Sequence, residues 1–246
     1  MVQVLLNIVS RHEENLEKEE IKMKKLALIT MVLCVFLVPN VWATTYTGMI
    51  RDSTYGELIV GGTWGVTSLS WEVDDTTNPG YWTYSYEFNV TSAPGISHVI
   101  VEVSGTDIYI DSNSTTAGYD LSTYSGGSGD PGWPANETIT AIKWEGVSGE
   151  GTWKWTVVTD RAPMWGDFYA KGGSDSYAYN EGFTYNLSGS DRYIGITDGA
   201  NSVGDHFYAL VPDTQIQGKT PEPMTLILYG VGFAGAGLYR RMRRPK

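Results

Sequence analysis

Between Tyr81 and Val90 the chain reads YWTYSYEFNV, with an aromatic ring at every even position. Trp82, Tyr84, Tyr86 and Phe88 alternate with Thr83, Ser85, Glu87 and Asn89. A period of two fits an extended strand, whose successive side chains point to opposite faces. One face is therefore apolar and buried, the other polar and wet, as in an antiparallel sheet solvated on one side. The same alternation gathers Val99, Val101 and Val103 in HVIVEV, and Trp153, Trp155 and Val157 in GTWKWTVVTD. Further strands are predicted at Leu58–Ser70, Thr106–Ile110, Thr138–Trp144, Trp165–Ala170, Phe183–Leu187, Tyr193–Ile196 and His206–Val211.

Turn residues punctuate these runs, at Gly61-Gly62, Asn78-Pro79-Gly80, Pro94-Gly95, Gly126–Gly132, Gly172-Gly173 and Asp198-Gly199. Nothing between residues 44 and 220 sustains a period of 3.6, and no repeat of fixed length occurs. About ten short strands with one dry face each imply two antiparallel sheets packed together. The expected fold is all-β, a single jelly-roll-like antiparallel β-sandwich over residues 44–220.

The two ends differ from this middle. From Met23 the sequence MKKLALITMVLCVFLVPNVWATTY has two lysines, an apolar run to Val38, a proline and a small residue, Ala43. That order is the n-, h- and c-region of a secretory signal peptide spanning 23–43, with cleavage expected between Ala43 and Thr44. It implies the Sec translocon and signal peptidase as partners. Residues 1–22 carry five acids between Glu13 and Glu20, where such a leader is basic. Lys18-Glu19-Glu20 can be encoded by a purine-rich ribosome-binding sequence just upstream of Met23, so Met1 reads as a misassigned start.

Between Thr44 and Thr220 there are 22 acidic against 7 basic residues, a net charge of −15. Such a surface repels nucleic acid, which is excluded as a partner. The single cysteine, Cys34, lies in the leader, so this region has neither a disulfide framework nor a thiolate metal site. Its two histidines, His98 and His206, lack metal-ligand spacing, and Gly-x-Ser-x-Gly is absent. Glu145, Glu150, Asp160, Asp167 and Glu181 offer carboxylate pairs for glycoside hydrolysis, yet any acidic surface does so.

Asp111 and Asn113, with Thr115, place oxygen ligands at alternate positions, a candidate calcium loop. The EF-hand pattern fails there, with Thr116 for the glycine and Ser122 for the closing glutamate. No cofactor is expected, with calcium as the alternative. Eight tryptophans and fourteen tyrosines in the same region suit sugar stacking. Trp133, in the glycine-rich loop SGGSGDPGWPAN, is the best candidate for an exposed platform, with Tyr124 beside it.

After Thr220 the chain changes again. Pro221-Glu222-Pro223 precedes 16 uncharged residues, Met224 to Tyr239, and then Arg240, Arg241, Arg243, Arg244 and Lys246. A helix over 224–239 is about 24 Å long against a bilayer core of about 30 Å, workable if the arginines snorkel. The basic cluster acts as a cytoplasmic stop, which places residues 44–220 outside, the side the leader also predicts.

Together, Pro-Glu-Pro, the glycine-containing apolar helix and RRMRR resemble the PEP-CTERM sorting signal of Gram-negative bacteria, over residues 221–246. The resemblance implies recognition by exosortase, transient residence in the inner membrane and removal of the tail near Pro221-Glu222-Pro223. Its members are usually exported by bacteria that make exopolysaccharide. WGDFYAKGG (165–173) and AYNEGF (178–183) are similar to a stretch in uncharacterised members. The expectation is a non-enzymatic surface or matrix protein associated with exopolysaccharide or biofilm. The alternatives are a lectin-like module using Trp133 and, behind it, a carbohydrate-active enzyme.

Overall fold

The computed structural model describes residues 44–53, 55–127, 129–145 and 151–212, with Lys18, Ile21, Lys22 and Lys25. Ala43, Pro221-Glu222-Pro223, the helix expected over 224–239 and the arginines from Arg240 to Arg244 lie outside them. Among the described residues no helix is long and apolar enough to cross a membrane.

The described residues between 44 and 212 are all-β, and every strand pairing among them is antiparallel. One sheet has four strands in the order β1 (Thr45–Arg51), β3 (Thr67–Asp74), β4 (Trp82–Val90) and β8 (Thr152–Thr159). The other has six: β2 (Leu58–Gly61), β11 (Tyr177–Asn180), β10 (Phe168–Gly172), β5 (Ile96–Glu102), β7 (Thr138–Glu145) and β6 (Tyr119–Ser125). Two small pairs complete it, β9 (Pro163–Gly166) with β14 (Ala209–Pro212), and β12 (Ser202–Val203) with β13 (His206–Phe207).

The alternation in β4 holds in its middle, where Tyr84, Tyr86 and Phe88 are buried and Ser85 is exposed, but at its start Thr83 is buried and Trp82 only half-buried. Phe88 meets the opposite sheet, 5.1 Å from Phe168 between centroids, and Tyr86 stacks on Trp155, its cross-strand neighbour in β8. Trp155 in turn packs on Trp144 and Phe168, so the inner faces of both sheets share one aromatic core. Two of the core rings on the apolar face of β4 are tyrosines, and each hydroxyl reaches a backbone carbonyl. Tyr84 donates to the Arg161 carbonyl at 2.9 Å and Tyr86 to that of Leu210 at 2.7 Å.

Several predicted strands are corrected. Leu58–Ser70 is two strands in different sheets, separated by a turn at Gly62. Gly62 has φ +75°, and a Cβ there would lie 2.5 Å from Ser176 Cα, so glycine is required. Thr106–Ile110 holds only a single bridge, Ile110 to Thr159. Phe183–Leu187 and Tyr193–Ile196 are not strands but follow from 3-10 turns, Glu181–Thr184 and Asp191–Tyr193. Trp165–Ala170 and His206–Val211 each divide between two sheets, at Asp167 and Tyr208.

In β5 both faces are buried, from His98 to Glu102. The even side belongs to a second, smaller apolar cluster of Ile100, Ile139, Ala141, Tyr169 and Phe183 on the outer face of the six-stranded sheet. The loop from Gly126 to Glu137 supplies its cover. The candidate site lies there.

Candidate functional site

Trp133 is half-buried, which corrects the expectation of an exposed platform. Its indole lies 4.9 Å from the ring of Tyr169 and 5.3 Å from Phe183, and Nε1 donates to the Glu137 carbonyl at 3.0 Å. A glycine-rich loop reads as solvated by composition. Here the glycines let the chain close down on rings. A Cβ on Gly126 would strike the Trp133 indole, and one on Gly132 (φ +69°) the ring of Tyr177. Tyr169 Oη ties the same loop down by donating to the Pro131 carbonyl at 2.9 Å, and Lys171 Nζ donates to that of Gly129.

What stays open is a cavity of about 300 Å³, bordered by Asp130, Trp133, Asn136, Glu137 and Thr138. Tyr124 packs against the same apolar cluster as Trp133, so the two predicted sugar-binding residues do share one face. Its hydroxyl donates to Asp120 Oδ2 at 2.8 Å, and Lys143 Nζ sits 5.6 Å from its ring centroid. Burial, then the bond to Asp120, raises the Tyr124 pKa far above its ordinary value.

His98 lies under the loop, with Nε2 3.4 Å from Asp130 Oδ1 but not aligned as a hydrogen bond. Burial, reinforced by the charge of Lys143, lowers its pKa to about 4, so the ring is neutral at pH 7. The other histidine, His206, pairs with Glu181 at 3.1 Å and stacks on Tyr185.

Asp111 and Asn113 belong to a different place, the segment that runs along the free edge of β8. The Asp111 carboxylate closes a local turn, accepting from Asn113 N–H at 3.1 Å and Ser114 Oγ at 2.8 Å. Thr115 Oγ1 accepts from Val158 N–H at 2.9 Å. Among the described residues, no group of three or more His, Cys, Asp or Glu side chains gathers as a metal would need.

The sequence stretches WGDFYAKGG and AYNEGF come together as β9–β10 and β11 around a buried polar network. Asn180 Oδ1 accepts from Phe168 N–H at 2.7 Å, while its Nδ2 donates to Asp167 Oδ1 at 2.9 Å and to the Phe207 carbonyl at 3.1 Å. Glu102 Oε2 accepts from Asp167 N–H, and Oε1 from Arg192 Nη1, both at 2.9 Å. Burial, then the charge of Glu102, pushes the Asp167 carboxyl well above the usual carboxylate range, which favours its protonated form.

Glu102 and Arg192 border a cleft of about 370 Å³ with Thr138, Thr140 and Tyr193, whereas Asp167 does not reach it. Each Glu102 oxygen is already bonded within the fold. The network fastens the break between β9 and β10 to the 3-10 turn at Arg192, and this is its evident chemistry. Sequence reasoning missed Glu102 and Arg192. The available signal was an acid interrupting the apolar run HVIVEV, which must find a partner if buried.

Searched against protein-family models, curated proteins and solved structures, the chain matches none of them.

Proposed function

We propose that this chain is a non-enzymatic exported protein of a Gram-negative bacterium, sorted by exosortase to the cell surface or matrix and associated there with exopolysaccharide. The observation that carries the reading is the agreement of the two ends. A leader over 23–43 and a Pro-Glu-Pro, apolar helix and arginine series over 221–246 both place the same acidic middle outside. That middle is read as a jelly-roll-like β-sandwich. Its support is the single core shared by two antiparallel sheets, built without cysteine. A non-enzymatic role is supported by the internal bonding of Glu102 and Asp167, the carboxylates with the most unusual surroundings.

Intact-mass measurement of the surface form tests the sorting. A chain that begins at Thr44 and lacks Met224–Lys246 is the expected species; one that keeps the tail overturns processing and leaves a permanent anchor. The cavity beside Trp133 favours a lectin-like module as the second reading, because an indole edge, an amide and two carboxylates meet there. On a glycan array, saturable binding that Asn136→Gly abolishes would favour that module over a passive matrix role.

A further inference from the structure

A sheet ends in two rows of backbone groups that must be covered, blunted or paired. In the four-stranded sheet other segments cover most of the β1 row and the second half of the β8 row. Along β1, Gly199 N–H donates to the Thr47 carbonyl at 2.7 Å, Asp198 Oδ1 accepts from Thr47 N–H, and Asn201 Nδ2 donates to the Met49 carbonyl. Along β8, Asp111 and Thr116 donate to the carbonyls of Val158 and Thr156, both at 2.9 Å, and Thr115 and Thr116 hydroxyls accept in return. In the six-stranded sheet one edge is β2, only four residues long and closed by the turn at Gly62.

The other edge, β6, is different. It is seven residues long, YDLSTYS, without proline, lysine or arginine and without a bulge in its register to β7. Among the described residues, no backbone group outside β7 bonds to it. Val103 N–H donates to the Thr140 carbonyl, which turns the even residues of β7 toward β5 and the odd ones toward β6. By alternation, Tyr119, Leu121, Thr123 and Ser125 aim their N–H and C=O groups outward from the sheet. The strand is held in place for this, with Gly126 wedged against Trp133 at one end and Tyr119 packed near Trp144 at the other.

We propose that β6 is the pairing edge for β6 of a second copy of this chain, joined antiparallel about a two-fold axis at Ser122. That register is chosen by the strand itself. With Ser122 on the axis, Tyr119 faces Ser125 and Leu121 faces Thr123 of the other copy, so all four outward residues on each side find partners. Asp120 then faces Tyr124, and no acid faces an acid. Moving the axis to Leu121 or Thr123 strands an outward residue at one end. On the inner face, Tyr119 and Leu121 are half-buried against the main core, and the paired strand continues the cover over them. Two six-stranded sheets become one continuous sheet through an isologous contact, which closes at a dimer. With each middle region carrying −15, added salt strengthens the contact.

The test is site-directed disulfide formation in the full chain, with Cys34→Ser as background. Ser122 occupies a non-hydrogen-bonded position on the axis, where facing Cα atoms approach to about 4.5 Å, within disulfide range. Ser122→Cys is expected to form a covalent dimer under mild oxidation, whereas Ser85→Cys, exposed on the other sheet, is not. Mixed Asp120→Cys and Tyr124→Cys chains are expected to cross-link with each other and not with themselves, which fixes the register. Ser122→Lys, which sets like charges against each other on the axis, is expected to abolish the dimer in sedimentation velocity while retaining the near-ultraviolet aromatic signal. Disulfide yield at Ser122→Cys no greater than at Ser85→Cys overturns the proposal. So does a dimer that survives Ser122→Lys, which would belong to the apolar tail. A cysteine at 122 that resists a thiol reagent in the monomer overturns it too, since another segment of the chain would then cover the edge.

Discussion

Asp167 and His98 are buried titratable groups that respond to pH in opposite senses. An acid whose pKa is raised by folding binds its proton more tightly in the folded state, so stability is fullest below the unfolded value and falls as pH rises toward the folded one. Asp167→Asn imitates the protonated carboxyl and keeps an oxygen for Asn180 Nδ2. It is expected to leave Tm near pH 4 almost unchanged and to raise it near pH 8. His98 works the other way, because folding lowers its pKa to about 4. Its contribution is complete above the unfolded value of about 6.5 and is lost as pH falls from there to about 4, by up to roughly 3 kcal/mol. His98→Gln should remove that part of the acid sensitivity. Urea midpoints of the two variants and the parent chain at several pH values check both slopes. Neither direction was legible in the sequence, where His98 reads as an ordinary strand-end residue and Asp167 as one acid among 22.

At the scale of elements, legibility followed how far a strand's neighbours are local in their demands. β4 and the first half of β8 announce themselves because one face meets the core and the other is more solvated, so alternation survives in the residue types. β5 hides its second dry face, since the polar residues His98 and Glu102 are buried by partners remote in sequence. β11 is short, and β6 keeps mixed polar residues on both faces, so neither was anticipated. The glycine-rich loop misled for a related reason: composition reports freedom of the backbone, and here that freedom is used to approach Trp133 and Tyr177 closely. Gly132→Ala forces a left-handed residue and displaces the Tyr177 ring, and is expected to lose about 1–3 kcal/mol. Gly127→Ala, with open space around it, is expected to change little. Thermal melts of the pair separate a packed cover from a solvated loop.

For the whole molecule, the all-β antiparallel class was legible from periodicity and turn spacing, while the division of strands between sheets was not. Chain switches at Gly62, Asp167 and Tyr208 decide that division, and each depends on a contact made far away in sequence. Partial cover along both edges of the smaller sheet concentrates any association between copies on one strand of the larger, against a repulsion that salt relieves. The first described strand carries a further consequence. Thr44 N–H donates to Asp75 Oδ1 at 2.9 Å, just beyond the end of β3. Cleavage after Ala43 would turn that neutral amide into an α-ammonium facing the same carboxylate. Maturation would then add a charge-assisted clasp at the chain's new beginning, worth at most about 1 kcal/mol in this partly solvated position. The precursor would fold a little less firmly than the released domain, and the act of release would itself tighten the sheet.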